Sequence, residues 1–264
     1  MSPALGLSLI LAVACQAAPS KSEGPEKHKA RLDHMRQSLA EFIVHPANDP
    51  KTAYQLGVEP ALRFTNTVGD VRDGAIFLWL GEDDRPAAAV QVFLHRNGNW
   101  YQEFSSLSTF PVSAEPVWKA SSGVIFKPVP GAPKPSENPD MRLRQMKALL
   151  TDFSAEQDFP DDQRPVWEKL RLLTKPLARY GKPGKDVVDG ALFAYVMTTD
   201  PEVYLMLEVR TGQNGPEWQY AFAVESMASV RGFWKGSEVW SLPLRQAWQD
   251  NRASYYIHNF GYDR

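Results

Sequence analysis

The chain has 264 residues, the length of one large domain or two of ordinary size. Apolar residues make up 43% of it and charged residues 23%, which excludes a wholly disordered chain, a collagen and a multi-span membrane protein. The 29 basic and 31 acidic residues give a net charge of -2, so no nucleic-acid partner is expected. The chain also has eight Trp and a single Cys, and both features are taken up below.

Residues 1–20 have the pattern of a signal peptide. The apolar run Ala4–Ala14 is too short to span a bilayer as a helix but fits the apolar region of an export signal. Cys15 follows it directly, as the lipid-bearing Cys does in the signal of bacterial lipoproteins. Cleavage near Ala17, which discards Cys15, is the alternative. In either case we expect an exported protein of the periplasm or cell envelope, lipid-anchored through Cys15 or secreted, whose folded part has no Cys and no disulfide.

The first half, 26–126, is predicted to contain one helix followed by strands. Apolar residues recur at helical spacing from Leu32 to Phe42, which predicts a helix with one face on a sheet. Short apolar runs then predict strands, and Asn97-Gly98 between two of them is typical of a hairpin turn. The predicted strands are 75–80, 88–95, 100–107 and 117–126.

The segment 127–140 has five Pro in 14 residues and is predicted to be a stiff, extended linker. The second half, 141–264, then repeats the order of the first. An apolar stripe from Leu143 to Phe153 predicts its helix, and the C-terminal stretch 253–262 is expected to pack on the core or to add an edge strand. The predicted strands are 191–197, 203–210, 218–225 and 230–242.

Several blocks of sequence match between the halves in the same order, which favours a duplication. We therefore predict an α+β fold, a tandem duplication of a unit made of one helix and a four- or five-stranded antiparallel sheet. The matching blocks are 31–42 with 142–153, 60–64 with 176–180, 70–77 with 186–193, 100–104 with 218–222 and 117–118 with 239–240.

The blocks RLxQM, DGALF, DPEV and EWQYA resemble those of an uncharacterised family of exported bacterial proteins of this size. The resemblance covers most of residues 31–242. It concerns motifs of the fold and implies no activity.

No motif for a metal or cofactor is present, so neither is expected. The sharpest repeated polar feature is the pair Asp70/Asp73 with its counterpart Asp186/Asp189. A calcium-binding loop is one interpretation. The favoured one is structural, with the second Asp of each pair shaping an Asp-Gly turn.

The Trp residues fall into two groups. Those at matching positions of the two halves are predicted to be core residues, namely Trp100, Trp118, Trp218 and Trp240. Trp167, Trp234 and Trp248 have no counterparts and are expected to be the most exposed, so they are the candidate binding residues.

No catalytic residues are assigned, and we lean towards a non-enzymatic role. The leading hypothesis is binding or an envelope-associated function, with a glycan or protein as ligand. A carbohydrate-binding module that uses the three candidate Trp is the first alternative. An exported hydrolase is the second, and it requires a cleft that gathers His95, Glu103 and a carboxylate of the other half. A serine nucleophile would place Ser105 or Ser106 beside His95.

Overall fold

A computed structural model describes residues 24–158, 166–212, 215–244 and 248–262. Strands account for 50% of the residues and helices for 13%, so the protein is mainly β. The predicted α+β class is therefore wrong. Within the described residues the α-helices are α1 (Pro25–Leu39) and α2 (Pro139–Leu150). No helix there is long and apolar enough to cross a membrane.

The described residues also form nineteen strands. Their bounds are β1 Ile43–Pro46, β2 Gln55–Leu56, β3 Leu62–Asn66, β4 Val71–Leu80, β5 Pro86–His95, β6 Asn99–Ser106, β7 Val112–Glu115, β8 Trp118–Lys119, β9 Lys127–Pro128, β10 Phe153–Asp158, β11 Glu168–Lys169, β12 Arg171–Leu172, β13 Ala178–Tyr180, β14 Val187–Met197, β15 Asp200–Gly212, β16 Gly215–Val224, β17 Ser229–Trp234, β18 Ser237–Leu242 and β19 Tyr255–Tyr262.

Two large antiparallel sheets dominate the structure. The first has the order β19-β6-β5-β4-β2, and the second has the order β12-β14-β15-β16-β9, with β3 and β13 each pairing a long strand from the side. The hairpin predicted at Asn97-Gly98 is confirmed: it joins β5 to β6, and Gly98 has the positive φ of 89° that glycine adopts at no steric cost.

The two large sheets pack face to face. Since side chains alternate across a strand, every second residue of each long strand points into this interface. Its apolar part includes Ile76 and Leu78 of the first sheet and Leu192, Tyr204 and Met206 of the second, all buried. The polar residues discussed below lie at one end of the same interface.

The outer face of each large sheet is covered by a helix and a smaller sheet. Met35 of α1 and Met146 of α2 are fully buried against these faces, in agreement with the predicted apolar stripes. The small sheets have the orders β1-β7-β8 and β11-β10-β17-β18. The range predicted as one strand at 230–242 is instead a hairpin, β17 and β18, in the second of them.

The predicted duplication of a helix-plus-sheet unit is wrong because each large sheet takes a strand from outside such a unit. β19 lies at the C-terminus but pairs with β6 of the first sheet, through seven residue pairs from Tyr255↔Ser105 to Tyr262↔Asn99. β9, in the Pro-rich segment, pairs with β16 of the second sheet. Very short strands show no periodic pattern, and the pairing of β19 with β6 joins residues about 150 positions apart in the sequence. Local periodicity therefore cannot predict either feature. The expected edge strand at 253–262 is confirmed.

The two Asp-Gly motifs lie inside long strands, so the turn interpretation is wrong. Asp73 of β4 is buried and accepts two hydrogen bonds from Arg63, at 2.9 and 2.6 Å. Asp189 of β14 is paired with Arg142 and Arg179. The positive charge beside each of these Asp residues therefore comes from arginine side chains, where the calcium interpretation placed a metal ion. The glycine after each Asp leaves room for a ring: a Cβ on Gly190 would lie 2.6 Å from the ring of Tyr180.

Candidate functional site

The three candidate Trp residues do not form one surface. Trp167 is half-buried, and the guanidinium carbon of Arg231 lies 3.9 Å from the centre of the Trp167 ring. Trp234, which we expected to be exposed, is buried against Phe153, with ring centres 4.5 Å apart. Trp248 is 56% exposed and lines a cavity. Trp100, Trp118 and Trp218 are core residues as predicted, and Trp240 is half-buried. Cys15 lies outside the described residues.

The strongest candidate site is a cavity of about 530 Å³ at one end of the interface between the large sheets. Its wall carries five carboxyl groups, and we call it the acidic cleft. They come from strands of both halves of the chain: Glu103 of β6, Glu168 of β11, Asp200 and Glu202 of β15, and Glu225 directly after β16. A cavity of this volume is typical of sites for small organic ligands.

Strand alternation explains why these carboxyl groups face one another. Glu202 is two residues from Tyr204 on β15, so it shares the face that carries Tyr204 in the apolar interface, and Asp200, beyond a register shift between β14 and β15, lines the same cavity. Glu225 extends the face of Ala223 in the same way. Beyond the apolar part of the interface, the inward faces of these two strands therefore carry acidic residues.

A buried glutamine joins acids of the two sheets. Gln91 of β5 donates through its Nε2 to Glu103 Oε2 at 3.1 Å and to Asp200 Oδ1 at 2.9 Å. Asn66 Nδ2 donates to the other oxygen of Asp200 at 3.4 Å. The carboxyls of Glu103 and Asp200 thus lie on either side of a single amide group.

Hydroxyl groups are hydrogen-bonded to three of the cleft acids. Ser105 donates to Glu225 Oε2, and the hydroxyl of Tyr255 is hydrogen-bonded to Glu103. Glu202 is hydrogen-bonded to the side chain of Ser226. These hydroxyl groups, like the amide groups of Gln91 and Asn66, are therefore engaged by carboxyl oxygens.

The cleft lacks basic counter-charges. Among the described residues that line it there is no Lys or Arg. By contrast, Glu208, a buried carboxylate at the far end of the same interface, is paired with Arg85 and Arg210, at 2.9 and 2.7 Å. The acidic cleft is therefore an exception to the rule that buried charges are paired.

Burial without counter-charges raises the pKa of these carboxyls. Burial, with a smaller contribution from repulsion by Glu225 and Asp200, raises the pKa of Glu103 well above its usual range. The pKa values of Glu225 and Glu202 are raised in the same way, and burial raises the pKa of Asp200 to about 6. Glu225 is 1% exposed, whereas Asp200 and Glu202 keep part of their surface open to solvent. Raised carboxyl pKa values therefore extend from the buried part of the cleft to its partly exposed side.

Unpaired acceptor atoms also line the cleft. Within the described structure, Gln91 Oε1, Gln157 Oε1 and Glu225 Oε1 are buried and have no hydrogen-bond partner. Each belongs to a residue that is at most 5% exposed and that lines the cavity. A buried acceptor without a donor costs about 1–3 kcal/mol, so a ligand that brings donors is favoured here.

His95 and Glu103 both line the cleft, together with carboxyls of the second half. This is the gathering that the hydrolase alternative requires. The serine arrangement is different, because Ser105 bonds to Glu225 and to the carbonyl of Val224. His95 Nδ1 accepts from the backbone N–H of Asn97, which leaves Nε2 to carry the proton of the neutral ring.

Sequence reasoning missed most of this cleft. Asp200, Glu202 and Glu225 adjoin turns and look like solvated strand ends. The available signal was the alternation of side chains along a strand, since Glu202 stands two residues from Tyr204 and Glu225 stands two residues from Ala223, and both of those residues lie in the apolar interface. Among the described residues, no three His, Cys, Asp or Glu side chains are arranged to hold a metal ion.

Comparisons with known protein families, curated proteins and solved structures find no match to this chain.

Proposed function

We propose that the acidic cleft binds a small organic cation, an ammonium or guanidinium group, and that the protein serves a binding role. The observation that carries this proposal is a cleft lined by five carboxyl groups and by buried acceptors with no partner. A cation with several N–H donors and no acceptor complements both features. A neutral ligand would leave the carboxyls without counter-charge.

Cation binding is expected to depend on pH. A carboxyl pairs with an ammonium group only when it is ionised, and the pKa values of the cleft acids are raised. Affinity should therefore rise with pH through about 6, where Asp200 ionises, and the cleft should release protons on binding. The titratable groups that line the cleft are Glu103, Glu168, Asp200, Glu202, Glu225 and His95.

The experiment compares three probes of matched size, butylamine, butanol and propionate, by NMR titration of the tryptophan indole signals at pH 5 and pH 8. We expect saturable binding of the amine alone, stronger at pH 8. Glu225→Gln should weaken it about tenfold, which corresponds to about 1.4 kcal/mol. The matched control is Glu156→Gln, because Glu156 is a strand carboxylate paired with Arg231 outside the cleft. Equal binding of the amine and the alcohol, or no saturable binding of the amine, would contradict the proposal.

Saturable binding of neutral oligosaccharides in the same titration, in place of the amine, would favour the carbohydrate-binding alternative. Of the three candidate Trp residues, only Trp248 both lines a cavity and is largely exposed. Trp248→Ala should then abolish oligosaccharide binding, and Trp167→Ala should leave it unchanged.

A hydrolase is the second candidate function, favoured by the gathering of His95, Glu103 and Asp200 around one cavity. Two neighbouring carboxyl groups with raised pKa values are a feature of sites for general acid–base hydrolysis. The test is turnover of nitrophenyl glycosides and esters between pH 4 and 8. Turnover that Glu103→Gln abolishes supports it, and equal rates for both proteins count against it.

We further propose that the chain is exported with the leader 1–20, with Cys15 as the lipid attachment site. The support is the apolar run Ala4–Ala14 and the small residues around Cys15. Mass spectrometry of the N-terminus of the protein made in a bacterial host distinguishes the outcomes. A lipid-modified Cys15 supports the anchor, and cleavage near Ala17 supports plain secretion.

A further inference from the structure

A second cavity with different chemistry shares lining residues with the acidic cleft. This cavity, also about 530 Å³, shares Phe93, His95, Glu103 and Met227 with the cleft. Its other lining residues are Tyr101, Trp248, Ile257 and Asn259. We call it the aromatic annex. Since the two cavities have four lining residues in common, they lie side by side.

The annex offers a mostly apolar wall for a chain or a ring. Phe93 and Tyr101 are stacked, with ring centres 5.4 Å apart, and Ile257 extends this surface on the neighbouring strand β19. Trp248 is 56% exposed. A large apolar side chain left open beside a cavity is typical of a ligand-contacting residue.

Glu103 lies where the two cavities meet, so its carboxyl marks the position of a charged group next to an apolar one. We infer that the ligand is an amphipathic amine, with its cationic head in the acidic cleft and an apolar tail in the aromatic annex against Trp248. This inference rests on the proposed function for the head, and it adds the tail.

The test is a series of straight-chain amines from ethylamine to octylamine, titrated into the full chain at pH 8 by calorimetry. Once the tail reaches the annex, each buried methylene should tighten binding about fourfold. Trp248→Ala should reduce this gain for hexylamine and octylamine while leaving the affinity for ethylamine unchanged. Trp167→Ala is the matched control, since Trp167 packs on Arg231 away from both cavities, and it should change neither.

The outcomes separate the two proposals. Binding of ethylamine without a gain along the series would overturn the tail and leave the cation site intact. Failure of every amine to bind would overturn both. Equal gains in wild type and Trp248→Ala would also overturn the tail, since the annex would not be its binding surface. Thermal unfolding of Trp248→Ala checks that the fold is retained, which its exposure leads us to expect.

Discussion

Replacing Asp200 by Asn tests the electrostatics of the cleft directly. Asp200 accepts from Gln91 at 2.9 Å and from Asn66 at 3.4 Å, and it is surrounded by Glu103, Glu202 and Glu225. Asn keeps the shape and an acceptor for the shorter bond, but it cannot ionise. The variant therefore removes one charge from the cluster with little change in packing.

The magnitude follows from the pKa of Asp200, which burial raises from 3.8 to about 6. The fold then holds this proton more tightly than the unfolded chain does, so wild-type stability falls as pH rises from about 4 to above 6. With about 1.4 kcal/mol per pKa unit, ionised Asp200 costs the fold about 3 kcal/mol. Loss of the longer bond from Asn66 costs about 1 kcal/mol at any pH.

The sign of the effect should therefore change with pH. We expect Asp200→Asn to be about 1 kcal/mol less stable than wild type at pH 4 and about 2 kcal/mol more stable at pH 8. Urea unfolding at pH 4, 6 and 8, followed by tryptophan fluorescence, measures both values. Removing this charge also eases ionisation of Glu225 and Glu202, which acts in the same direction.

The control is Asp49→Asn. Asp49 is exposed, and its pKa is lowered by hydrogen bonds from Thr52 and Lys51, so its substitution should lose stability at pH 8 relative to pH 4. A stability difference for Asp200→Asn that is the same at pH 4 and pH 8 would refute the reasoning. It would mean that Asp200 titrates at its ordinary pKa and that the cleft does not desolvate its acids.

Two further substitutions test the paired Asp-Gly motifs, both measured by urea unfolding at neutral pH. Arg142→Ala leaves the buried carboxylate of Asp189 without its 2.8 Å partner and should lower the free energy of unfolding by about 3 kcal/mol. Arg144→Ala, on the exposed side of the same helix, should change it by less than about 0.5 kcal/mol. Equal effects of the two substitutions would mean that the ion pair does not stabilise the fold. Gly190→Ala places a Cβ against an aromatic ring and should cost about 1–3 kcal/mol, while Gly261→Ala, with open space around its Cβ position, should be nearly neutral; a neutral Gly190→Ala would show that the ring moves aside.

Local pattern was enough to predict parts of the fold. The apolar spacing that places Met35 and Met146 on covered helix faces was read correctly, as was the turn at Asn97-Gly98. Such features depend on neighbouring residues only, so periodicity and turn chemistry report them. The prediction for Trp234 failed, since the Lys and Gly around it suggested a surface position while its ring packs on Phe153.

Pairing between strands that lie far apart in the chain could not be predicted from the sequence. Residues 127–140 read as a linker because of their prolines, yet Lys127 and Pro128 pair with Tyr220 and Gln219 at a sheet edge. The acidic cleft needs both large sheets in register before Gln91 can contact Asp200, which is 109 residues away. Nothing in the local sequence encodes that distance, and only Glu103 and His95 were anticipated as members of such a site.

The late position of β19 in the chain has a consequence for folding. Until Tyr255 and the residues after it are in place, β6 stays an open edge with unpaired backbone groups, which readily recruits strands of other molecules. Trp118 depends on the same segment, because its indole N–H donates to the carbonyl of Ala253. Contacts spanning more than 130 residues make for slow folding. A chain shortened by a dozen residues at its C-terminus should therefore be recovered as aggregate, although it would retain every residue of both helices.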